Sequence, residues 1–401
     1  MAFLKYALPV LAAGQLAFGS SCGEDGKTIK ISSQGDIDGY SSCKTLKGDV
    51  EISEQVADTL TINNIEKITG GLSCTGASNL TSLTAPKLGE IGDTFKLDGL
   101  TGLYTLNFGS LSSVGSIKFT ALPQLQKLEF ATGVSEAGNV AITNTGLSSL
   151  DGISLNKVGD FDITENTNLK SVNVNNLTEA TGLINFAGNM DSLEIELPNL
   201  GSGTNMTFRN VSSVSVPSLH NLTGQMGFWG DSFKTFSAPN LTETGDIAFN
   251  GNEKLSNISL PQLETVNGGF QIIRNDKLAN ISFPSLDTVT GAIDFSGAFD
   301  SVDIPKLSNV KGGFNMQSSG GFDCDGFDKK HKDKVIRGSY TCSAKKSDPK
   351  SKNGQSGTSS GTASAASGTS TSSEGAAPAN IANVPAMGMA AIFGALLQLA
   401  M

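Results

Sequence analysis

The sequence has little of what most enzymes and metal-binding proteins need for their chemistry. Among 401 residues there are only two histidines, His220 and His331, and a single tryptophan, Trp229. No HExxH, GxSxG, P-loop or paired CxxC motif is present. The net charge of -10 has the same sign as nucleic acids and anionic membrane surfaces. We therefore predict no metal, no other cofactor, no nucleic-acid partner and no catalytic site.

Two pairs of neighbouring carboxylates are the nearest approach to a catalytic or calcium-binding motif. Asp36 with Asp38, and Asp160 with Asp162, are each separated by one residue. Paired carboxylates can serve glycoside hydrolysis or calcium binding. The residue between the second pair is apolar and belongs to an inward register, so we interpret both carboxylates as solvated strand residues. The segment DCDGFD at 323–328 resembles a calcium loop but lacks its closing acidic residue, and we interpret it as solvated.

The first residues have the layout of a secretory signal. Lys5 supplies a charged start, residues 6–16 form an apolar stretch, and the small residues Ala17 and Gly19 suit cleavage. We predict a signal peptide over residues 1–19. A buried N-terminal helix is the alternative, and the stretch is too short to favour a membrane span.

The last residues indicate attachment of a glycosylphosphatidylinositol (GPI) lipid. The chain ends in an uncharged apolar tail, preceded by a short spacer and by the small residues at 375–377. We predict Gly375 as the lipid-bearing residue, with Ser373 second, and residues 376–401 as the propeptide that is removed. A tail-anchored helix is the alternative, although it normally carries Lys or Arg on its cytoplasmic side.

Residues 343–375 are of low complexity and precede the lipid signal. Lys and Asp dominate first, in AKKSDPKSKNG, followed by Ser, Thr, Gly and Ala. Such a composition cannot bury a core, so we predict a flexible stalk. Its hydroxyl groups are candidate O-glycosylation sites in a secreted chain.

A short motif recurs between these two ends. The motif is a glycine followed by two apolar residues in alternation. Its copies include GDVEI at 48, GSIKF at 115, GAIDF at 291 and GGFNM at 312. The spacing is 21 to 23 residues, and the motif predicts about thirteen units over residues 48–318. Self-similarity at a fixed period of this length is typical of solenoids.

Each unit predicts two short strands. One follows the glycine, and the other is an apolar doublet such as that of ISL or ISF, with Leu and then Val or Ile following at a spacing too short for a helix. We predict an all-β, right-handed parallel β-helix or leucine-rich solenoid. Stacked strands lie about 4.8 Å apart, so that thirteen coils make a rod on the order of 60 Å long.

The five cysteines divide by this register. Cys74 falls in an inward apolar column and is predicted to be a buried free thiol. Cys22 and Cys43 precede the first coil, and Cys324 and Cys342 follow the last. Local pairings, Cys22–Cys43 and Cys324–Cys342, are predicted to staple two caps at residues 20–47 and 319–342, because crossed pairings would require the ends of a long rod to meet.

Asn-x-Ser/Thr sequons indicate N-glycosylation of an exposed surface. Within each sequon an inward apolar residue lies beside the asparagine, so the asparagine itself points out or lies in a turn. The eight candidate sites are Asn79, Asn176, Asn205, Asn210, Asn221, Asn240, Asn257 and Asn280.

One outward aromatic residue is a candidate carbohydrate contact. Trp229 follows the inward Phe228, and the repeat register makes Arg209 and Asn250 its neighbours on adjacent coils. An exposed ring flanked by polar groups can stack on a sugar. The alternative is that Trp229 packs on a loop or on a glycan of its own chain.

The ordered combination of these features resembles a known family. A signal peptide, an early cysteine pair, coils of the type GDVEI and LTSLTAPKLGEIGDTF, a late cysteine pair, a Ser/Thr-rich stalk and a GAAP tail look like the fungal extracellular-mutant/sporulation-specific family. These are GPI-anchored cell-wall organisation proteins whose repeats resemble the ligand-binding L domains of receptors. The resemblance covers the whole chain and implies a role in fungal wall integrity and assembly.

What carries over residue by residue is limited to the four cap cysteines and the lipid site near Gly375, because the family offers no agreed catalytic residues. We expect a non-enzymatic scaffold or binding module, located at the outer face of the plasma membrane and in the cell wall, with wall polysaccharides or wall proteins as partners. A glycosidase or transglycosidase that remodels wall glycans, and a receptor-like adhesion protein, are the alternatives. The short stalk leaves open whether the protein is transferred to wall glucan.

Overall fold

The computed structural model describes residues 22–352. The predicted signal peptide, the predicted lipid site at Gly375 with its runner-up Ser373, and most of the predicted stalk lie outside the described residues. Among residues 22–352, no helix is both long and apolar enough to cross a membrane.

The regular elements of the described chain are almost all short strands. Those of the first half are β1 (Gly23–Ile31), β2 (Thr45–Ile52), β3 (Asp58–Thr61), β4 (Lys67–Ile68), β5 (Leu72–Thr75), β6 (Leu80–Thr84), β7 (Glu90–Asp98), β8 (Thr105–Asn107), β9 (Ser113–Leu122), β10 (Val134–Thr145), β11 (Ile153–Val158), β12 (Phe161–Thr164), β13 (Ser171–Asn173) and β14 (Glu179–Ala187).

Those of the second half are β15 (Glu194–Glu196), β16 (Ser202–Arg209), β17 (Ser213–Ser215), β18 (Asn221–Leu222), β19 (Met226–Trp229), β20 (Thr235–Ser237), β21 (Glu243–Thr244), β22 (Ile247–Asn250), β23 (Asn257–Ser259), β24 (Thr265–Val266), β25 (Phe270–Ile273), β26 (Asn280–Ser282), β27 (Thr288–Val289), β28 (Ile293–Gly297), β29 (Ser301–Asp303), β30 (Asn309–Val310), β31 (Phe314–Ser318) and β32 (Tyr340–Ser343). The two helices are α1 (Gln34–Asp38) and α2 (Asp325–Lys332).

These strands form a parallel β-solenoid. The strand that follows the repeat glycine pairs in parallel with its counterparts on the neighbouring coils, from β2 and β5 through to β28 and β31. The cap strands β1 and β32 extend the same ladder at its two ends. The thirteen predicted repeats and one strand from each cap therefore make about 15 turns, and the predicted solenoid is confirmed.

Many coils contain one more strand than the sequence pattern indicated. The apolar doublet forms a second set of parallel ladders, such as β13 with β15 and β20 with β23. The segment predicted as loop, which follows it, contains a third strand of two residues in many coils, such as β24 and β27. This third strand leads around the glycine bend into the next strand of the large sheet, so both belong to one 22-stranded sheet.

Glycine is required at the bend by the neighbouring coil. A Cβ on Gly245 would lie 2.4 Å from the carbonyl oxygen of Gly224, the equivalent glycine one coil earlier. No side chain fits there. The repeated glycine therefore reflects close stacking of backbones.

A column of residues with left-handed backbone conformation follows the main strands of successive coils. Ten successive coils place a residue with positive φ at the turn, and half of these are not glycine. The ten are Gly76, Gly99, Ala121, Asn144, Glu165, Gly188, Asn210, Gly230, Gly251 and Arg274. The left-handed conformation costs a non-glycine residue roughly 1–2 kcal/mol, and the stacking of the coils holds it.

The core lies inside the coils as columns of apolar side chains. Phe186, Phe208, Phe228 and Phe249 form a stack on four successive coils, with ring centroids 6.0, 5.3 and 4.8 Å apart. Cys74 lies in the same column, is buried, and is the free cysteine of the described chain. Its predicted position is confirmed, and burial raises the pKa of its thiol to about 12.

Both caps contain the predicted disulfides. Cys22 bonds Cys43 across a separation of 21 residues, and Cys324 bonds Cys342 across 18. The C-terminal cap contains α2, whose His331 is exposed and stacks on Tyr340 with ring centroids 4.5 Å apart. Each cap covers an apolar end of the rod that would otherwise be open.

The structure moves the start of the stalk. The predicted boundary between residues 342 and 343 falls inside β32, which ends at Ser343. Residues 344–352, predicted to be part of a flexible stalk, turn back and contact the outward face of β28 and β31. We call residues 344–352 the strap. The polar composition of the strap does not supply an apolar core, but its groups make hydrogen bonds to the outward face of the sheet.

Candidate functional site

The three candidate carbohydrate-binding residues are neighbours, as the register predicted. Arg209 pairs with Trp229 and Trp229 with Asn250 on successive coils, in the outward position at the end of each main strand. The indole is half-buried because it folds back over Gly227, where a Cβ would lie 1.9 Å from the ring. Gly227 therefore makes room for the ring.

The polar neighbours of Trp229 are already engaged. The Arg209 guanidinium lies over the indole, 4.5 Å from the ring centroid, in a cation–π contact. Asn250 Oδ1 accepts hydrogen bonds from Arg274 Nε at 3.1 Å and Nη2 at 2.8 Å. A sugar at this position would meet the Arg209 guanidinium or the edge of the indole, so the open platform predicted from sequence is partly occupied.

A buried polar ladder runs beside this cluster, and sequence reasoning missed it. Asn166, Asn189, Asn252 and Asn275 occupy one column just after the positive-φ residues, and all are buried. In this ladder the Asn166 backbone N–H donates to Asn189 Oδ1 at 3.0 Å, and Asn252 N–H donates to Asn275 Oδ1 at 3.0 Å. The 23-residue interval within each of these pairs was the available signal.

Asp231 takes a place in that ladder. Its Oδ1 accepts from the Val211 backbone N–H at 2.9 Å, and its own N–H donates to Asn252 Oδ1 at 2.8 Å. Its Oδ2 is buried and has no hydrogen-bond partner among the described residues. Burial raises the pKa of Asp231 to about 8, against the opposing effects of the Val211 hydrogen bond, the Arg209 charge and the backbone N–H groups of Asn210 and Trp229.

Two surface grooves lie in the first half of the rod. The corner groove, of about 520 Å³, runs over the bend glycines Gly92, Gly115 and Gly138. Its walls include Glu90 and Glu136, which stand on either side of Ser113 on adjacent coils.

The face groove, of about 490 Å³, lies on the outward face of β2, β5 and β7 and is lined by polar side chains. Among them Glu51, Ser73 and Lys96 are in one register column, and Thr75 belongs to the next. Every one of these groups can exchange hydrogen bonds with a polyhydroxylated ligand.

The candidate glycosylation sites are distributed unevenly along the same rod. Six of the eight asparagines are exposed, and Asn205 and Asn221 are half-buried at bends. Asn257 and Asn280 open equivalent strands, β23 and β26, as their repeat positions predicted. Asn79 is the one candidate before residue 176, so the half of the rod that contains both grooves has few candidate glycan sites.

The carboxylates of the corner groove do not form an acid–base pair of the glycosidase kind. Glu90 Oε1 lies 2.7 Å from Lys67 Nζ, and Glu136 Oε2 accepts from Ser113 Oγ at 3.2 Å. A catalytic acid at neutral pH is normally set in an apolar pocket, whereas Glu136 is exposed. Within residues 22–352 no three His, Cys, Asp or Glu side chains are grouped so that they could hold a metal ion.

The fold and the surface together define a disulfide-capped β-solenoid with repeats. Residues 1–41 match a family model described as a GPI-anchored cell wall organization protein. Residues 92–214 and 189–302 match BspA-type leucine-rich repeats. No solved structure matches the chain.

Curated relatives cover nearly the whole chain. Protein ecm33 of Aspergillus fumigatus is 67% identical over 99% of both chains. A cell surface GPI-anchored protein of Arthroderma benhamiae is 42% identical over 89% of this chain and 92% of its own. Cell wall protein ecm33 of Schizosaccharomyces pombe is 34% identical over 85% of this chain and 82% of its own.

The chain therefore belongs to the family of GPI-anchored cell wall organisation proteins. The resemblance drawn from its sequence is confirmed. Its place is the cell surface and the cell wall, and its broad role is cell wall organisation.

Proposed function

We propose that the protein is a non-enzymatic scaffold that binds a wall polysaccharide through the first half of its rod. The observation that carries this proposal is the coincidence of two grooves, both before residue 158, with the stretch of the solenoid that has few sequons. Glycans are bulky and shield the surface around them. A surface meant for contact is therefore expected to lack them.

The chemistry of the grooves favours a neutral polysaccharide chain. Their walls offer hydroxyl, carboxylate and ammonium groups. Side chains at the same register position on successive coils lie about 4.8 Å apart along the rod. A periodic surface suits a periodic ligand because each repeat can make the same hydrogen bonds. The cluster of Arg209, Trp229 and Asn250 is a second candidate contact, at which a sugar would meet the Arg209 guanidinium first.

A glycan placed in the face groove tests the proposal directly. Lys96→Asn with Asp98→Thr creates a sequon on β7 without touching the buried residue between them. Glu194→Asn with Glu196→Thr creates the matched control on β15 in the sequon-rich half. Both proteins are secreted with their glycans and incubated with β-1,3-glucan, β-1,6-glucan, chitin and mannan.

We expect the wild-type protein and the β15 control to be retained by at least one polysaccharide and the β7 variant to lose retention at least tenfold. Equal retention of the two variants would exclude the face groove as the contact. Reducing ends are measured in the same samples. New reducing ends that disappear in Glu90→Gln with Glu136→Gln would show a glycosidase and overturn the non-enzymatic assignment.

A further inference from the structure

The strap lies on a polar patch formed by outward-facing residues of β28 and β31. Asp294, Asn315 and Gln317 point outward from β28 and β31, yet their exposed fractions are only 1%, 3% and 4%. In the first half of the rod the equivalent outward residues are exposed or half-buried. On the middle coils Thr207, Ala248 and Gln271 of the same column are also buried, so the contact with the strap is identified by its hydrogen bonds.

Hydrogen bonds tie the strap to this patch at several points. Asn315 Nδ2 donates to the Lys350 carbonyl at 2.9 Å, and the Lys350 N–H donates to Gln317 Oε1 at 3.1 Å. Ser351 Oγ donates to Asp294 Oδ2 at 2.5 Å. Lys346 Nζ also donates to Gln317 Oε1.

The strap contains a pair of basic residues, Lys345 and Lys346, between the solenoid and the predicted lipid site. Paired basic residues are the recognition element of a class of secretory endoproteases. Such enzymes bind the substrate chain in an extended form. Lys345 instead has φ of 55°, in the left-handed region, and is not extended.

The backbone of the pair is also bound to the fold. The Lys345 N–H donates to the Gly320 carbonyl and the Lys346 N–H to the Ser318 carbonyl, both at 2.9 Å. A protease must break these bonds and pull the strap away before the chain can enter its cleft. Cleavage of such a segment depends on how often it opens.

We propose that the Lys346–Ser347 peptide bond is a latent processing site, held closed by docking of the strap on Asp294, Asn315 and Gln317. When the strap is released, an endoprotease specific for paired basic residues hydrolyses this bond. Water adds hydroxide to the Lys346 carbonyl carbon and a proton to the Ser347 amine. The cut separates the whole disulfide-capped solenoid from the lipid anchor.

The chain offers a matched pair of variants for the test. Asp294 accepts from Asn315 Nδ2 at 2.7 Å beneath the strap, and Asp162 accepts from Asn185 Nδ2 at 2.8 Å in the same register column without a strap above it. Asp294→Ala and Asp162→Ala therefore remove the same kind of cross-strand bond, but only the first one weakens docking.

The experiment uses the full-length anchored protein on intact cells. Cells are treated with a purified endoprotease specific for paired basic residues, the released solenoid is quantified, and its new C-terminus is identified by mass spectrometry. We expect release ending at Lys346 to be roughly tenfold faster for Asp294→Ala than for the wild type. Asp162→Ala should match the wild type, and Lys346→Gln should abolish release.

Ser351→Ala keeps the test decisive if Asp294→Ala fails to fold. It removes the contact with Asp294 from the strap side, five residues from the paired bases, and should also accelerate release. Equal release rates for the wild type, Asp294→Ala and Ser351→Ala would overturn the proposal. Faster release by Asp162→Ala as well would also overturn it, because the effect would then come from general loosening.

Discussion

Asn252 accepts a hydrogen bond from the Asp231 backbone N–H at 2.8 Å, so the two side chains stand next to each other in one buried ladder. The Asn252 amide has a side-chain N–H donor, whereas an ionised Asp231 carboxylate can only accept hydrogen bonds. Asn252 Nδ2 donates to the Phe228 carbonyl at 3.3 Å, and Asn275 Nδ2 makes the same bond to the Phe249 carbonyl at 2.9 Å. By this register the oxygen Oδ2 of Asp231 stands where a donor is needed, and only a protonated carboxyl can supply one.

The first prediction is that Asp231→Asn stabilises the protein. The amide restores the missing donor, and an unsatisfied buried polar group costs about 1–3 kcal/mol. The gain should depend on pH because burial raises the folded-state pKa of Asp231 to about 8 from an ordinary 3.8. Well below pH 3.8 the carboxyl is protonated in both states. As the pH rises toward 8 the unfolded chain releases the proton that the fold retains, so wild-type stability falls.

Thermal unfolding of both proteins between pH 4 and pH 9 checks this prediction. The difference in melting temperature should be smallest at pH 4 and grow up to about pH 8. Asn252→Asp is the reciprocal control and should introduce the same pH-dependent loss one coil further on. A constant difference between wild type and Asp231→Asn across the range would contradict the prediction.

The second prediction concerns the left-handed column. Glu165 has φ of 59°, and the next member of the column, Gly188, has φ of 66°. Glu165→Gly should raise the free energy of unfolding by about 1 kcal/mol, because glycine adopts this conformation without strain. Gly188→Ala should lower it by a similar amount, although a Cβ there meets no atom closer than 3.6 Å. Two changes of the same sign in chemical denaturation would show that contacts, not backbone strain, decide stability here.

The third prediction is that the Cys74 thiol does not react in the folded protein. It is fully buried, and burial raises its pKa to about 12, so little thiolate exists at neutral pH. A maleimide reagent should label Cys74 only after denaturant has unfolded the surrounding coils. Rapid labelling of native protein, located by peptide mapping, would mean that the coils open locally around β5.

The fourth prediction concerns the C-terminal cap. Replacing both Cys324 and Cys342 by Ala should destabilise the protein by roughly 3 kcal/mol, the chain-entropy value for a loop of about this length. The lost staple also anchors β32, from which the strap continues, so the double variant should lose the strap contacts first. Hydrogen exchange of residues 344–352 measured together with thermal unfolding checks both effects. Cys74→Ala is the control that removes a sulfur without touching a cap.

Much of the fold was readable from the chain because a solenoid repeats local rules. The glycine bends, the inward apolar columns and the position of Cys74 all follow from a period of 21 to 23 residues and from alternation within strands. The third strand found in many coils was missed because two residues are too few to show alternation. The Asn ladder was missed because a buried asparagine and a turn asparagine look alike in sequence.

The candidate site was harder to predict from the sequence, because its contacts form between side chains of different coils. The register correctly placed Arg209, Trp229 and Asn250 side by side, but not the fold of the indole over Gly227 or the guanidinium above it. Those depend on side-chain rotation toward whatever space the neighbouring coils leave. The two grooves likewise result from the stacking of several coils, and no single repeat encodes them.

The sequence by itself determined the class of protein, the number of repeats, the cysteine pairing and the direction in which most side chains point, because all of these are set by spacing along the chain. Only the tertiary structure decided that the strap returns to the sheet, that Asp231 Oδ2 has no hydrogen-bond partner among the described residues and that the grooves lie in the half with few sequons. These features arise between residues on different coils, where distance in space has no fixed relation to distance in sequence.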